Sequence, residues 1–224
     1  MPKVTEEYIQ NKKKMIIDTA YSLCIEKTVS TVTMQDIINK TGLSQGGIYR
    51  FYKDIDEIFR DMLIDIRKRI PFKEKVDEIF EHIEEFQESE IAYVIFDMLA
   101  EFMEKELMGI EKIDFELNIL AINAPSRIEK ILFDLPSVGN KEYVMKRTME
   151  HYIKKIEQGK CSPRVSSEEL ISYITSAYSG IQMNCIVNNC YKQNAFSELY
   201  KPRQQFRTLA KTVNYLLGIE ENID

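Results

Sequence analysis

Apolar residues along this chain recur mostly at intervals of three and four, which is the spacing of one face of an α-helix. The first such face lies on a helix predicted from Tyr8 to Glu26, and its apolar positions are Ile16, Ile17, Ala20, Leu23 and Cys24. We find no convincing stretch in which apolar and polar residues alternate as they do in a half-buried strand. The 224 residues include only 8 Gly and 6 Pro, so few positions favour turns. We therefore predict an all-α protein built from long helices.

The stretch from Thr33 to Lys53 predicts two short helices joined by a tight turn. Thr33 suits an N-cap, Gly42 accepts the positive φ angle that ends a helix, and Ser44 suits the next N-cap. The apolar positions that would hold the second helix against the first are Leu43, Ile48 and Phe51. Two helices joined by about three residues with a glycine in the turn form a helix-turn-helix, whose second helix enters the major groove of DNA.

The polar side chains left on the outer surface of this unit are hydrogen-bond donors. Gln45 and Arg50 can read base edges, since glutamine pairs with adenine and arginine with guanine. Gly46 and Gly47 either mark an ordinary loop or let the backbone approach DNA. Each weakens a helix by roughly 1 kcal/mol relative to alanine, so within this capped frame we favour the close approach. The predicted DNA-binding residues, including those suited to phosphate contacts, are Thr33, Gln35, Ser44, Gln45, Gly46, Gly47, Tyr49, Arg50 and Lys53.

Four motifs resemble the N-terminal domain of the TetR family of bacterial regulators, over roughly residues 8 to 69. They are Thr33-x-x-Asp36-Ile37, Gly42-x-Ser44-x-Gly46, Ile48-Tyr49-x-Phe51-Tyr52-Lys53 and Glu57-x-Phe59. The resemblance implies a homodimeric repressor whose C-terminal helices bind a small molecule and release DNA. Three positions depart from the family pattern. Thr28 replaces the usual glycine after the first helix, Ile38 replaces a small residue, and Gly47 replaces a hydroxyl residue and so removes one expected phosphate contact.

We divide the chain into a DNA-binding head at residues 1–53 and a larger helical body for ligand binding and dimerisation at residues 70–224. The head is a three-helix unit that contains the helix-turn-helix. A linking helix at residues 55–69 joins the two parts. Asp54 and Glu57 predict a capping box at its start, and Pro71 ends it. The linking helix is expected to carry a shift in the body to the DNA.

The net charge of −6 argues against nucleic-acid binding only if the chain is taken as a whole. Residues 1–53 contain eight Lys and Arg and five Asp and Glu, which gives a net charge of +3. The remainder of the chain contains 22 Lys and Arg and 31 Asp and Glu, which gives a net charge of −9. An electropositive head favours phosphate binding. The run from Lys12 to Lys14 has two interpretations, a solvated face or a phosphate contact.

The resemblance implies further roles in the body, where a ligand pocket and a dimer interface are expected. Residues on helices that surround a pocket in similar proteins are Phe96, Phe102, Phe115, Asn118, Ile122, Met149, Tyr152, Tyr178 and Gln182. For each of them, plain core packing is the alternative. Two amphipathic helices at about residues 167–189 and 203–218 either complete the core of one monomer or form a four-helix bundle with a second copy, which the resemblance favours.

Enzyme motifs are missing from the sequence, which has only two histidines, no H-E-x-x-H, no Gly-rich phosphate loop and no G-x-S-x-G. We therefore expect no catalytic residues, no metal site and no cofactor. The four cysteines lack metal-ligand spacing and are expected to be buried thiols, with a redox switch at Cys185 and Cys190 as the alternative. The charged stretch from Met1 to Lys14 and the lack of a long apolar run predict a cytoplasmic protein.

These observations predict a regulator that binds a double-stranded DNA operator as a homodimer and responds to an unknown small molecule, acting as a repressor. The alternative is a helical protein–protein interaction module without DNA binding. A head without exposed donors would favour that alternative. The sequence does not distinguish a ligand-induced repressor from an activator or from a repressor that acts without a ligand.

Overall fold

A computed structural model of this protein describes residues 5–133, 135, 140–191 and 201–219. This part of the chain forms eleven α-helices and contains no strand, which confirms the predicted all-α class. The helices are α1 (Glu6–Glu26), α2 (Met34–Thr41), α3 (Gln45–Tyr49), α4 (Ile55–Arg69), α5 (Phe72–Glu81), α6 (Glu88–Glu106), α7 (Lys112–Asn123), α8 (Pro125–Leu132), α9 (Asn140–Glu157), α10 (Ser167–Cys190) and α11 (Pro202–Leu216). Single 3₁₀ turns occur at Val29–Thr31 and Ile83–Glu85, and a π-helical turn at Leu107–Glu111 precedes α7.

Polar side chains set the start of several helices by accepting otherwise unpaired backbone N–H groups. Ser166 Oγ accepts the N–H of Glu169 at 3.2 Å, and the Glu169 carboxylate accepts the N–H of Ser166 at 2.9 Å. At the start of α4, Asp54 accepts the N–H groups of Asp56 and Glu57. The Glu57 carboxylate takes the N–H of Lys53 at 2.7 Å, one residue before the position that a capping box uses.

The helices form two compact units. The first contains α1 to α4 together with α7 and α8, and the second contains α5, α6 and α9 to α11. The sequence division had assigned residues 112–133 to the body, whereas their contacts lie with the first 70 residues. This difference arises from contacts between residues that are far apart in the sequence, and helical periodicity does not reveal such contacts.

The first unit has a core in which α1 packs on α2 and α4. Its most enclosed side chains, none of them accessible to solvent, include Ile16, Ala20, Ile37, Phe59 and Leu63. Helix α8 packs on α4, where the Arg127 guanidinium donates to Asp56 Oδ1 from Nη2 at 2.6 Å and from Nε at 3.1 Å. A second ion pair joins Lys130 to Asp54. These contacts hold α8 at the start of α4.

A buried ion pair holds α7 against the end of α1. Lys112 Nζ lies 2.8 Å from Glu116 Oε1 and donates to the carbonyl oxygens of Cys24 at 2.7 Å and Lys27 at 3.1 Å. Glu116 Oε2 accepts the N–H of Val29 at 2.6 Å. Helix α1 has no basic residue in its last turn, so the Lys112 ammonium supplies the positive charge that the carboxyl end of a helix favours.

The second unit has a core in which α11 packs on α6 and α10. The fully buried ring of Phe206 stacks near Phe96, with ring centroids 6.1 Å apart, and lies 5.6 Å from the ring of Tyr178. Asn214, also fully buried, donates to the carbonyl oxygen of Ser89 at 2.7 Å. Helix α11 thus completes the core of its own unit.

The thiols of the protein are free, and three of them, at Cys24, Cys161 and Cys185, are buried. Burial raises the pKa of Cys24 and of Cys185 to about 12, so both stay protonated at neutral pH. Cys190 is half-buried, with its Sγ 3.6 Å from the carbonyl oxygen of Leu107. Within the described ranges, no helix combines the length and the apolar character that crossing a membrane requires.

Candidate nucleic-acid interface

Helix α2 starts at a capping box in which each partner satisfies a backbone group of the other. Thr33 Oγ1 accepts the N–H of Asp36 at 3.2 Å, and Asp36 Oδ2 accepts the N–H of Thr33 at 2.8 Å. Hydrogen bonds from Lys27, then from Thr33, lower the pKa of Asp36 to about 2. The carboxylate therefore stays charged and keeps α2 anchored.

The turn between α2 and α3 has the conformation that its sequence predicts. Gly42 has φ +68° and donates its N–H to the carbonyl oxygen of Ile38 at 3.1 Å, which closes the end of α2. Ser44 then caps α3, because its Oγ accepts the N–H of Gly47 at 3.1 Å. A short second helix is thereby set directly after the first.

Helix α3 is held in place by one fully buried side chain and by Tyr52, a motif residue whose structural role the sequence did not predict. Ile48 has no solvent exposure, and Leu43 and Phe51 are half-buried. Tyr52 is 3% exposed and donates its hydroxyl hydrogen to Asp61 on α4 at 2.9 Å. Burial and the Asp61 carboxylate both raise the pKa of Tyr52, so the hydroxyl keeps its proton. This bond fixes the end of α3 against α4.

The predicted DNA-binding residues lie on the surface of the first unit, at the start of α2 and along the turn and α3. All are exposed except Gly47, which is half-buried. Thr33 and Ser44 act as caps, and Gln35 donates to Asn39 on its own helix at 2.8 Å. The other four donors, Gln45, Tyr49, Arg50 and Lys53, form no side-chain hydrogen bond or ion pair with any residue that the structure describes. They are therefore available to an external partner.

The two glycines of α3 have different surroundings. A Cβ atom at Gly46 would meet no atom within 4 Å, so the protein itself does not require glycine there. A Cβ atom at Gly47 would lie 3.1 Å from Ser44 Oγ, the oxygen that caps the helix. Gly47 therefore serves the fold by leaving room for the cap, and Gly46 leaves open space at the outer surface.

The lysine run of α1 is engaged with the protein's own side chains. Lys13 Nζ lies 3.5 Å from Asp61 Oδ2, and Lys14 Nζ lies 2.6 Å from Asp18 Oδ1. Lys12 Nζ lies 5.6 Å from the centroid of the Tyr8 ring. The donors of α3 and Lys53 thus differ from the α1 lysines, which already have anionic or aromatic neighbours.

The sequence of this domain matches a known family. The family model for bacterial regulatory proteins of the tetR family matches residues 16–62, which run from α1 into α4. The N-terminal domain belongs to the TetR family. This confirms the resemblance carried by the motifs of the head.

Relatives agree with this assignment. Over 62 residues the chain is 31% identical to YfiR of Bacillus subtilis (strain 168), an uncharacterized HTH-type transcriptional regulator. The match spans 28% of this chain and only 30% of that curated relative. The structure of Salmonella enterica GusR is similar over 96% of this chain and 98% of GusR, with a TM-score of 0.56 and 12% identity. At that identity the similarity concerns the fold alone.

Outside the TetR-type head, the second unit contains a partly open cavity of about 240 Å³ between α6, α9, α10 and α11. Four of the predicted ligand-binding residues line it, namely Phe96, Met149, Tyr152 and Tyr178. Phe102 stands apart, with its ring 4.8 Å from that of Phe72, and Gln182 donates to Glu111. The other three predicted residues, Phe115, Asn118 and Ile122, lie on α7 in the first unit. The structure thus places predicted ligand-binding residues of α6, α9 and α10 around one cavity, whereas those of α7 belong to the other unit.

Periodicity did not single out most of the cavity wall. Val144, Met145, Leu170 and Val213 line the cavity as ordinary apolar positions of their helices. No sequence signal separates them from core residues that touch no cavity. Across the described residues, no group of three or more His, Cys, Asp or Glu side chains is placed to hold a metal ion.

Proposed function

We propose that this protein is a homodimeric transcriptional repressor whose TetR-type head binds a double-stranded DNA operator and whose second unit binds a small molecule that lowers operator affinity. The observation that carries the proposal is the set of exposed donors at Gln45, Tyr49, Arg50 and Lys53, which are unpaired with other described residues. They lie on a helix-turn-helix whose caps and buried side chains fix its geometry.

Each donor has a role that follows from its chemistry. Gln45 and Arg50 read base edges, because their amide and guanidinium groups form paired hydrogen bonds with adenine and guanine. Tyr49 and Lys53 contact phosphate groups, which set affinity and salt dependence more than sequence preference. DNA binding breaks no side-chain hydrogen bond or ion pair of these four residues within the described structure, so their contacts add to affinity without that cost.

A second copy of the chain supplies the second reading helix. Dimers of this motif contact successive major grooves about 34–36 Å apart. The exposed stripe of α10 supports the proposed interface, because Met183 is 53% exposed and Ile171 37% exposed, with the small residues Thr175 and Ser179 exposed between them. Apolar side chains next to small ones allow two helices to pack closely.

The cavity in the second unit is the proposed effector site. A ligand changes DNA affinity only if it binds one conformer of the protein more tightly than another. We propose that the liganded conformer holds the two heads at a separation that no longer matches successive major grooves. A compound that fills the cavity and leaves operator affinity unchanged would exclude this mechanism.

A fluorescence-anisotropy titration tests the DNA-binding part of the proposal. The purified full chain is titrated against the DNA immediately upstream of its own coding region, at several salt concentrations and with scrambled DNA as competitor. We expect saturable binding that survives the competitor and weakens steeply as salt rises. Binding abolished by the competitor would exclude this DNA as the operator. No binding to any DNA at low salt would favour the protein–protein interaction module instead.

Gly46→Ala offers a matched variant, because its new methyl group meets no atom of the protein. Alanine is favoured over glycine in a helix by about 1 kcal/mol, so thermal stability is expected to be equal or higher. If α3 approaches DNA at this position, operator affinity nevertheless falls at least tenfold. Unchanged affinity would show that Gly46 does not face DNA.

A further inference from the structure

The cavity of the second unit has a wall chemistry that selects among ligand charges. It is lined mainly by buried apolar side chains, of which Ile95, Leu99 and Leu170 are each at most 5% exposed. None of the lining residues that the structure describes is Lys, Arg or His. Among the described residues of the wall, Glu142 alone carries a formal charge, and it is exposed in the first turn of α9.

Two cations elsewhere on α9, Lys155 and Arg147, have their own partners. Lys155 is 3% exposed and lies 2.8 Å from both Glu84 Oε2 and Glu88 Oε1. The Arg147 guanidinium lies 3.4 Å from Asp77 Oδ1 and over the ring of Phe80. A ligand carboxylate inside the cavity would lose its hydration without gaining a positive partner from the described wall, and a carboxylate at the exposed side of the cavity would meet the like charge of Glu142.

The volume of the cavity limits the size of the ligand. An apolar cavity of about 150 Å³ in another protein stays dry and binds benzene. Scaling from that case, 240 Å³ corresponds to a molecule of about ten non-hydrogen atoms. Glu142 is an exposed member of the wall and lies on α9, outside the α10 stripe of the proposed dimer interface, so the polar end of a ligand reaches solvent on its side.

We propose that this cavity takes a compact hydrophobic molecule with a neutral or cationic polar end and rejects the corresponding anion. The inference rests on the proposed function, because it treats the cavity as the effector site. Glu142 is a specificity-determining residue that favours an ammonium group over a hydroxyl group and a hydroxyl group over a carboxylate.

Isothermal titration calorimetry of the full chain without DNA tests the ligand class with 1-octanol, octylamine and octanoate, which share one chain length and differ in charge. We expect octanol and octylamine to bind at least tenfold more tightly than octanoate. Equal or tighter binding of octanoate would overturn the proposal, as would binding of none of the three probes.

Variants of α9 separate the role of Glu142 from general electrostatics. Glu142→Gln is expected to weaken octylamine binding about threefold or more and to leave octanol binding unchanged. Glu150→Gln is the control, because Glu150 is an exposed carboxylate on the same helix that does not line the cavity. If both variants lowered octylamine binding equally, Glu142 would have no specific role.

Two further variants test the location of the site. Ala92→Leu adds a larger side chain at a lining position that is 2% exposed, and it is expected to weaken octanol binding at least tenfold. Because the chain contains no tryptophan, Met149→Trp places a single fluorescent reporter in the wall, and octanol is expected to shift its emission. Unchanged binding in a folded Ala92→Leu variant, or no emission shift at saturating octanol, would place the site elsewhere.

Operator binding measured with the same probes distinguishes this inference from the proposed function. If octanol binds in the cavity and operator affinity stays unchanged, ligand-controlled DNA release is excluded and the ligand class stands. If octanoate binds best and releases DNA, the proposed function stands and the ligand class is wrong.

Discussion

The buried ion pair between Lys112 and Glu116 allows a quantitative prediction about the first unit. The two side chains are 4% and 2% exposed, respectively. Glu116→Leu removes the partner charge of the Lys112 ammonium and leaves the N–H of Val29 without its acceptor. Removing one member of a buried pair typically costs about 3–5 kcal/mol, so we expect a loss of about 4 kcal/mol in the free energy of unfolding.

Lys112→Met is expected to lower the free energy of unfolding by about 3 kcal/mol. This loss is smaller than that of Glu116→Leu, because the Glu116 carboxylate still accepts the N–H of Val29. The double variant no longer contains an uncompensated buried charge. Its loss in the free energy of unfolding is therefore expected to be at least about 2 kcal/mol smaller than the sum of the losses in the two single variants. Urea unfolding at neutral pH, followed by far-ultraviolet circular dichroism, measures all three values.

The chain contains a control pair with the same residue types in the same order and spacing. Lys146 and Glu150 on α9 lie 3.9 Å apart with side chains 70% and 50% exposed. Glu150→Leu is expected to change the free energy of unfolding by less than about 0.5 kcal/mol, because water solvates both charges. If Glu116→Leu also cost less than about 1 kcal/mol, or if the double variant were additive, the pair would not hold α7 in the way described.

Three further predictions concern the head and the proposed interface. Arg50→Ala is expected to weaken operator binding and to relax specificity at one base step. Lys53→Ala should weaken binding to all DNA sequences similarly and reduce the slope of log affinity against log salt concentration by about one. Anisotropy titrations with mutated operators measure both effects. Met183→Glu is expected to shift the protein from dimer to monomer in analytical ultracentrifugation. Tyr173→Glu, on another side of α10, is expected to leave the dimer intact. If both variants remained dimeric, this interface would be excluded. The Asp36 carboxylate, whose pKa falls from about 3.9 in an unfolded chain to about 2 here, contributes stability that is present above pH 4 and is lost as pH falls towards 2. Asp36→Asn should therefore flatten the acid side of the stability curve in denaturation experiments, and an unchanged curve would contradict the assignment.

Local sequence determined the helices of this protein and most of the head. The caps at Thr33, Ser44 and Ser166 and the positive φ angle of Gly42 follow from side-chain oxygens and from the absence of a Cβ atom. These effects act within three or four residues, so a sequence pattern contains them completely. The predicted linking helix at residues 55–69 agrees with α4 for the same reason, since Asp54 starts it and Pro71 follows its end.

Tertiary structure alone decided which helices share a unit and which apolar residues surround the cavity. Lys112 contacts the carbonyl oxygen of Cys24 across 88 positions, and Arg127 contacts Asp56 across 71. Helical periodicity shows that a face is apolar, and it does not show which other face covers it. For that reason the sequence placed Phe115 with Met149 in one ligand site, whereas packing puts them in different units.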